Sequence, residues 1–285
     1  MSGVAGQIRV MKLEDALEIV AQTHSGMVRA HNEDSIGTDA ACGLVVLADG
    51  MGGYNAGEVA SGIAVSVMVS EVAAPLKQSS PVQRDEVSGE ELAITLLNNS
   101  IHRANASIYQ AAQSQAQYAG MGTTVVAALF YDNRVATGHV GDSRLYRLRG
   151  ESLELITRDH SLLQEQIDSG VISIEQARHS QNRNLVTRAV GIDAEVMPEV
   201  HVHEVLPGDI YLLCSDGLND MVEDDDIQSI VYAMQGNLAL AAEQLIQTAN
   251  DNGGRDNVSV ILVKVKQAFA QPRSYLARLL NWLKK

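Results

Sequence analysis

Four aspartates stand where apolar, strand-like runs meet glycine. Val45-Val46-Leu47-Ala48 leads into Asp49-Gly50-Met51-Gly52-Gly53, and Ile210-Tyr211-Leu212-Leu213-Cys214-Ser215 leads into Asp216-Gly217. Val135–Gly141 runs into Asp142, and Gly253-Gly254-Arg255 precedes Asp256 and the run Val258–Val263. A carboxylate at the end of a rigid strand, beside backbone that carries no side chain, suits a hard cation. Mg²⁺ and Mn²⁺ prefer oxygen ligands and take few carboxylates per ion. Asp49, Asp216 and Asp256, with the Gly50 carbonyl, could bridge two such ions. A pair about 3.5–4 Å apart activates a bridging water and stabilises the oxygens of an in-line phosphoryl displacement. Any single Asp-Gly reads equally well as a turn or helix cap; the set reads better as a convergent site. Arg29 lies four and five residues before Glu33 and Asp34 in a loop without regular periodicity. Its guanidinium could grip a phosphate bidentately, or pair with one of those acidic neighbours.

The elements that must hold these groups can be read from the pattern of apolar residues. Residues 1–16 read as a loose lead-in, followed by strand-like alternation over Leu17–Gln22 and a loop over Gly26–Asp34. Helices are expected over Ala56–Val72 and Glu90–Ser114, the latter with Leu92, Leu96, Leu97, Ile101, Ile108 and Ala112 at helical spacing. Strands are expected over Thr123–Tyr131 and Arg134–Val140, joined at Asp132-Asn133, and over Ser143–Arg149 and Ser152–Ile156. Residues 158–184 are polar and read as a surface flap of short helical pieces. Strands resume at Glu199–Val205 and Asp209–Ser215, helices at Asp224–Met234 and Leu238–Asn250, and a last strand at Asn257–Val265. Hairpin-linked strands with grouped helices predict an α+β domain, antiparallel sheets carrying helices on their outer faces.

Taken in order, the motifs resemble the metal-dependent protein phosphatase family, the type 2C serine/threonine phosphatases, in its bacterial form. The matching segments are Arg29-Ala30-His31-Asn32-Glu33-Asp34, Ala48-Asp49-Gly50-Met51-Gly52-Gly53, Gly120-Met121-Gly122-Thr123-Thr124 and Gly138-His139-Val140-Gly141-Asp142-Ser143-Arg144. They continue with Thr157–Ser161, Leu185–Gly191, Ser215-Asp216-Gly217-Leu218 and Gly254-Arg255-Asp256-Asn257, spread over 17–265. The resemblance implies a β-sandwich of two antiparallel sheets with helices outside. It implies that Asp49 bridges two Mg²⁺ or Mn²⁺ ions, that the Gly50 carbonyl, Asp216 and Asp256 complete the pair, and that Glu33 and Asp34 contact the ions directly or through water. Asp142 would help hold a third, weaker ion, and Arg29 would bind the substrate phosphate. The implied activity is hydrolysis of phosphoserine and phosphothreonine on proteins by direct attack of the bridging water, opposing a serine/threonine kinase. One position departs from some relatives, which carry a histidine after the bridging Asp-Gly as general acid. Here it is Met51, whose thioether cannot donate a proton. Protonation would then fall to a metal-bound water or another residue. His31, His139, His160 and His179 are the candidates, although each reads more simply as a loop or packing histidine.

At 285 residues, 46% apolar and a formal charge of −14, the chain is expected to be a soluble globular protein that does not bind nucleic acid. Two cysteines in apolar contexts, no secretory pattern and no run long enough to cross a bilayer point to the cytoplasm. Glu223–Asp226 reads as a helix start. The stretch 267–285 reverses the local charge: Leu276, Leu279, Leu280 and Leu283 share a helical face, and Arg273, Arg278, Lys284 and Lys285 are basic. It reads first as a helix packed on protein, and second as a partner-docking or membrane-surface helix. Two rival functions share the motifs. One is a catalytically idle phosphoprotein adaptor, which should have lost metal carboxylates. The other is a phosphatase dedicated to one regulatory protein, its target set by the flap and tail.

Overall fold

The computed structural model describes residues 12–270, apart from Tyr54, Val87, 174–175 and 177–184. Eleven strands are seen among these: β1 (Leu17–His24), β2 (Asp34–Asp39), β3 (Leu44–Met51), β4 (Gly122–Thr123), β5 (Val125–Tyr131), β6 (Arg134–Val140), β7 (Arg144–Arg149), β8 (Ser152–Leu155), β9 (Glu199–Glu204), β10 (Ile210–Cys214) and β11 (Val258–Val265). They form two antiparallel sheets. One has the order β1-β11-β10-β7-β8; the other has the order β2-β3-β5-β6-β9, with β4 added against the end of β3. The helices are α1 (Leu13–Ala16), α2 (Ala56–Leu76), α3 (Leu92–Ser114), α4 (Leu162–Asp168), α5 (Asp216–Asn219), α6 (Asp224–Ala233) and α7 (Leu238–Asp251).

Strand alternation distributes the apolar residues over three layers of core. Val45 and Leu47 of β3, Tyr211 and Leu213 of β10, and Ile261 and Val263 of β11 meet between the sheets. There Phe130 and Tyr211 pack edge to face, with ring centroids 5.2 Å apart. The other faces of the same strands carry Leu44 and Val46 against α2 and α3, and Leu212, Val260 and Leu262 against α6 and α7. Both sheets are therefore covered on both faces, and their central strands read as unbroken apolar runs rather than alternating ones. The Asp132-Asn133 hairpin has positive φ at both residues (45° and 56°), the geometry of the tight turn expected from that dipeptide.

Several boundaries differ from the sequence reading. The lead-in is not loose at its end: α1 seats Ala16 fully buried, and Lys266 donates to the Ala16 carbonyl. β3 does not stop at Asp49 but continues through Met51, because β4 pairs Gly50 with Thr123 and Met51 with Gly122. The loop into Asp34 is followed by a strand, β2, that was not anticipated. Helix α2 is long and apolar enough to cross a membrane (21 residues, hydropathy 1.7), contrary to the expectation that no run would be. Its Ala60, Ala64, Met68 and Val72 are buried in the core formed with the six-stranded sheet and α3, which accounts for that composition. Within the stretch read as a flap, His160 and Ser161 are buried and bonded into the domain. The tail from 271 to 285 lies outside the described residues, as does His179.

Candidate metal centre

Register brings the first two carboxylates together. Asp34 of β2 pairs directly with Asp49 of β3, which sets the two side chains on one face of the sheet, and the charge of Asp34 acts on Asp49. Asp34 is buried; its Oδ2 accepts from Ser215 Oγ at 2.8 Å and from Ser259 Oγ at 2.6 Å, while its Oδ1 is buried without a protein donor. Two carboxylates so placed need a proton or a cation between them. Asp49 is fixed from the backbone: Thr123 Oγ1 and Thr124 N both donate to its carbonyl at 2.8 Å, and its own N–H donates to Thr124 Oγ1 at 3.2 Å. Thr124 Oγ1 also meets Ser143 Oγ at 2.6 Å. The Gly120–Thr124 motif thus ties the Asp49 strand to the loop that carries Asp142.

Glycine sets how closely the remaining segments approach. A Cβ on Gly50 would lie 2.1 Å from the Gly57 carbonyl oxygen and 2.6 Å from that of Glu33. A Cβ on Gly217 would lie 1.9 Å from the Asn257 carbonyl oxygen, so Asp216 and Asp256 stand on backbones in direct contact. Gly217→Ala is expected to destabilise the fold by about 1–3 kcal/mol or more, read by urea unfolding, because the obstruction is main chain and cannot rotate away. Asn257 completes the assembly. Its Oδ1 accepts from Glu33 N at 2.8 Å, and its Nδ2 donates to the carbonyls of Ser25 (3.1 Å) and His31 (2.9 Å). That side chain pins the whole Arg29 loop to the start of β11.

The electrostatics show what this convergence costs. Burial raises Asp49 and Asp216 well above the carboxylate range. Like charges add to the effect: Asp34, Asp216, Asp142 and Asp256 act on Asp49, and Asp142, Asp220, Asp256 and Asp34 act on Asp216. Asp34 and Asp142 are each raised to about 6, again mainly by burial. Burial also raises Glu33. This many ionised groups cannot share one low-dielectric site without counter-charge. Hard carboxylate oxygens, an orphaned buried Oδ1 and clustered negative charge fit divalent Mg²⁺ or Mn²⁺. Asp34, Asp49, Asp216, Asp256 and the Gly50 carbonyl would hold the paired ions, with Asp142 at the edge.

Arg29 is the cation at the mouth. It pairs not with Glu33 or Asp34 but with Asp256, Nη2 to Oδ2 at 2.6 Å, while Asn257 N donates to Asp256 Oδ1 at 2.9 Å. Its side chain is half exposed, and with Ala30, His31, Glu33, Gly52 and Asn55 it lines a depression of about 500 Å³. His31 stands there too, whereas His139 and His160 are buried and stacked on each other, 4.7 Å between ring centroids. Neither thiol is a candidate nucleophile, since burial pushes Cys42 up to about 11 and Cys214 up to about 12.

Sequence reasoning missed Asp220, whose charge acts on both Asp216 and Asp142. Its signal was available: it follows Asp216 by four residues across a helical turn. It also missed what Ser215, just after β10, and Ser259 of β11 do for Asp34, since a hydroxyl at either position carries no distinguishing pattern.

Comparison with known proteins agrees with this geometry. A family model described as Protein phosphatase 2C matches residues 23–252. The serine/threonine protein phosphatase PstP of Mycobacterium tuberculosis is 39% identical over 249 residues, 87% of this chain and 45% of that protein, so the chain spans about half the length of that relative. The serine/threonine phosphatase stp of Listeria monocytogenes is 36% identical over 246 residues, 85% of this chain and 94% of that protein. The crystal structure of the PstP catalytic domain in complex with two manganese ions superposes with a TM-score of 0.74 at 37% identity, covering 87% of this chain and 97% of that one. The chain belongs to the protein phosphatase 2C family.

Proposed function

We propose that this chain is a Mg²⁺- or Mn²⁺-dependent serine/threonine protein phosphatase, acting on phosphoserine and phosphothreonine of protein substrates and opposing a bacterial serine/threonine kinase. The observation that carries the reading is the buried carboxylate cluster of Asp34, Asp49, Asp142 and Asp216, held at elevated pKa with one orphaned oxygen. Paired divalent ions bound there supply a water acidified enough to attack phosphorus at neutral pH. The protein's own contribution is positional. Ser215 and Ser259 orient Asp34, Thr123 and Thr124 hold the Asp49 backbone, and Asn257 fixes the loop that presents Arg29. Arg29, beside the depression, supplies a planar donor pair for phosphate oxygens. The reaction forms one bond from water oxygen to phosphorus and breaks the bond from phosphorus to the serine or threonine oxygen, which takes up a proton. Met51 cannot give that proton. Of the candidate histidines within the described residues, His31 is the one that reaches the depression. The two free cysteines support a reducing compartment, and the cytoplasm is the proposed location.

Phosphate release from a phosphothreonine peptide is the direct test. Turnover is expected to require Mn²⁺, to stop with chelator and to resume when Mn²⁺ is restored. Arg29→Ala should raise KM about tenfold or more through the lost charge-assisted contact. Turnover that survives exhaustive chelation would overturn the reading. Phosphopeptide binding without turnover at saturating Mn²⁺ would favour the adaptor.

A further inference from the structure

A second cluster lies beside the carboxylates, made of His139 on β6, His160 before α4, and Glu199 on β9. Its potential ligand atoms lie within 4.8 Å of one another, a composition that suggests another metal site. The hydrogen bonds argue otherwise. His160 Nδ1 accepts from the Gly141 N–H at 3.1 Å, so in the neutral ring the proton sits on Nε2. That Nε2 faces Glu199 Oε1 at 3.1 Å, and Arg188 Nη1 stands 3.3 Å from the same nitrogen. Both ring nitrogens are therefore committed to protein, and a guanidinium occupies the approach. Burial lowers the pKa of His160, in keeping with a neutral ring.

What these bonds do is hold a loop. Asp142 sits between β6 and β7, just after Gly141, whose φ is +107°. Residues 158–160 grip this loop on both flanks. The Arg158 carbonyl contacts His139 Nε2 at 2.8 Å, His160 N donates to the Gly141 carbonyl at 2.9 Å, and Asp159 receives a forked bond from Arg144, the shortest 2.7 Å. His160 supplies both main-chain and side-chain bonds to Gly141. Its own carbonyl accepts from Thr187 N at 2.8 Å, and Leu162 N donates to the Leu185 carbonyl at 2.9 Å. The segment that returns from the flap is thus fastened to the same residue. Glu199 is the register partner of His139, so the ring's far side is anchored to the sheet.

The geometry points to His160 as a positioning residue for Asp142: its ring, oriented by Glu199, holds the Gly141 N–H and thereby sets where the Asp142 carboxylate stands. This rests on the phosphatase reading only for the use to which Asp142 is put. The loop geometry is independent of it.

Two substitutions separate positioning from packing. In His160→Asn the amide oxygen falls where Nδ1 was and can still accept from Gly141. In His160→Gln the side chain is closer to histidine in size but places its polar atoms at the Nε2 end. Amide exchange of the full-length chain in chelator, followed at Gly141, reads the contact without any metal or turnover. His160→Gln should exchange about tenfold faster than the parent, the equivalent of one ordinary hydrogen bond, and His160→Asn should stay close to it. Calorimetric Mn²⁺ titration should show the weakest binding step loosened roughly tenfold in His160→Gln and much less in His160→Asn. Should the Gln chain fail to fold, Glu199→Ala keeps the ring and removes its anchor; about threefold faster Gly141 exchange is then expected, within the range of a weakened hydrogen bond. Equal behaviour of Asn and Gln, or unchanged Gly141 exchange in Glu199→Ala, overturns the assignment. A parent chain without phosphatase activity would sink the functional reading while leaving the exchange result standing.

Discussion

Asp216→Asn is expected to slow phosphate release at saturating Mn²⁺ by about 10³-fold or more, several kcal/mol of transition-state stabilisation at 1.36 kcal/mol per decade. The same variant, stripped of metal, should melt at a higher temperature than the parent. The two effects come from one cause. Asp216 is pushed far up by burial and by the charges of Asp142, Asp220, Asp256 and Asp34, so in the metal-free protein its carboxyl is a liability. Asparagine keeps the shape and the polar atoms but removes the charge. The liability disappears, and with it the means of holding a divalent ion. Asp49→Asn should behave alike, because Asp49 is raised by burial and by Asp34, Asp216, Asp142 and Asp256. The pairing of outcomes separates a metal site from a structural carboxylate. A structural group would lose activity and metal-free stability together, and differential scanning fluorimetry in chelator beside a peptide assay would show it. Lower metal-free stability in both variants would remove the argument for a cation cluster.

How much of this was visible beforehand depends on what each residue's neighbours look like in sequence. Asp49 and Asp216 were legible because each ends a buried apolar run and is followed by glycine, and the structure shows why glycine is needed: backbone passes at 2.1 Å and 1.9 Å from where its Cβ would be. Asp34 was reachable only through the motif. Its strand, Asp34–Asp39, is short and mostly polar, and at Gly37 a Cβ would lie 2.4 Å from Val65 of α2. A strand that must let a helix lie this close carries small residues, not the alternating apolar ones that announce a strand. The same limit hid the burial of His160 and Ser161. Residues 158–161 are polar, so composition placed them on the surface. His160 and Ser161 are nonetheless buried, because His160 and Gly141 satisfy each other and Arg144 satisfies the neighbouring Asp159. Polar groups bonded to distant partners leave no periodic signal. The layering was readable in outline, since hairpin spacing and grouped helices require antiparallel sheets with helices outside. That α2 is apolar enough to resemble a membrane span follows from its place in the core formed with α3 and the sheet.

Acid should stabilise the metal-free protein over a range where most proteins weaken. Asp34 and Asp142 have folded-state values of about 6 against an unfolded value near 3.8, and Asp49 and Asp216 are shifted in the same direction by burial and by their acidic neighbours. A carboxyl whose folded pKa is raised holds its proton longer in the native state than in the unfolded one. Between the two values the native state binds more protons, so stability falls as pH rises, and it levels off once the native carboxyl has also ionised. For Asp34 and Asp142 the loss is spread over roughly pH 4 to 6, and Asp49 and Asp216 contribute with the same sign. In chelator the melting temperature should therefore climb as pH is lowered from about 6.5 to 4.5. A rise of about 5 °C or more is expected, since roughly 2–4 °C accompanies each kcal/mol in domains of 150–250 residues. Saturating Mn²⁺ should reverse the slope. Ligation demands the ionised carboxylates, so metal binding releases protons and strengthens as pH rises. Two melting curves against pH, with and without Mn²⁺, would then diverge towards neutral pH and converge in acid. Parallel curves would mean that these carboxyls hold no ion, whatever the sequence relationship. Divergence abolished by Asp216→Asn would tie the linkage to this cluster rather than to acidic groups elsewhere on a chain of formal charge −14.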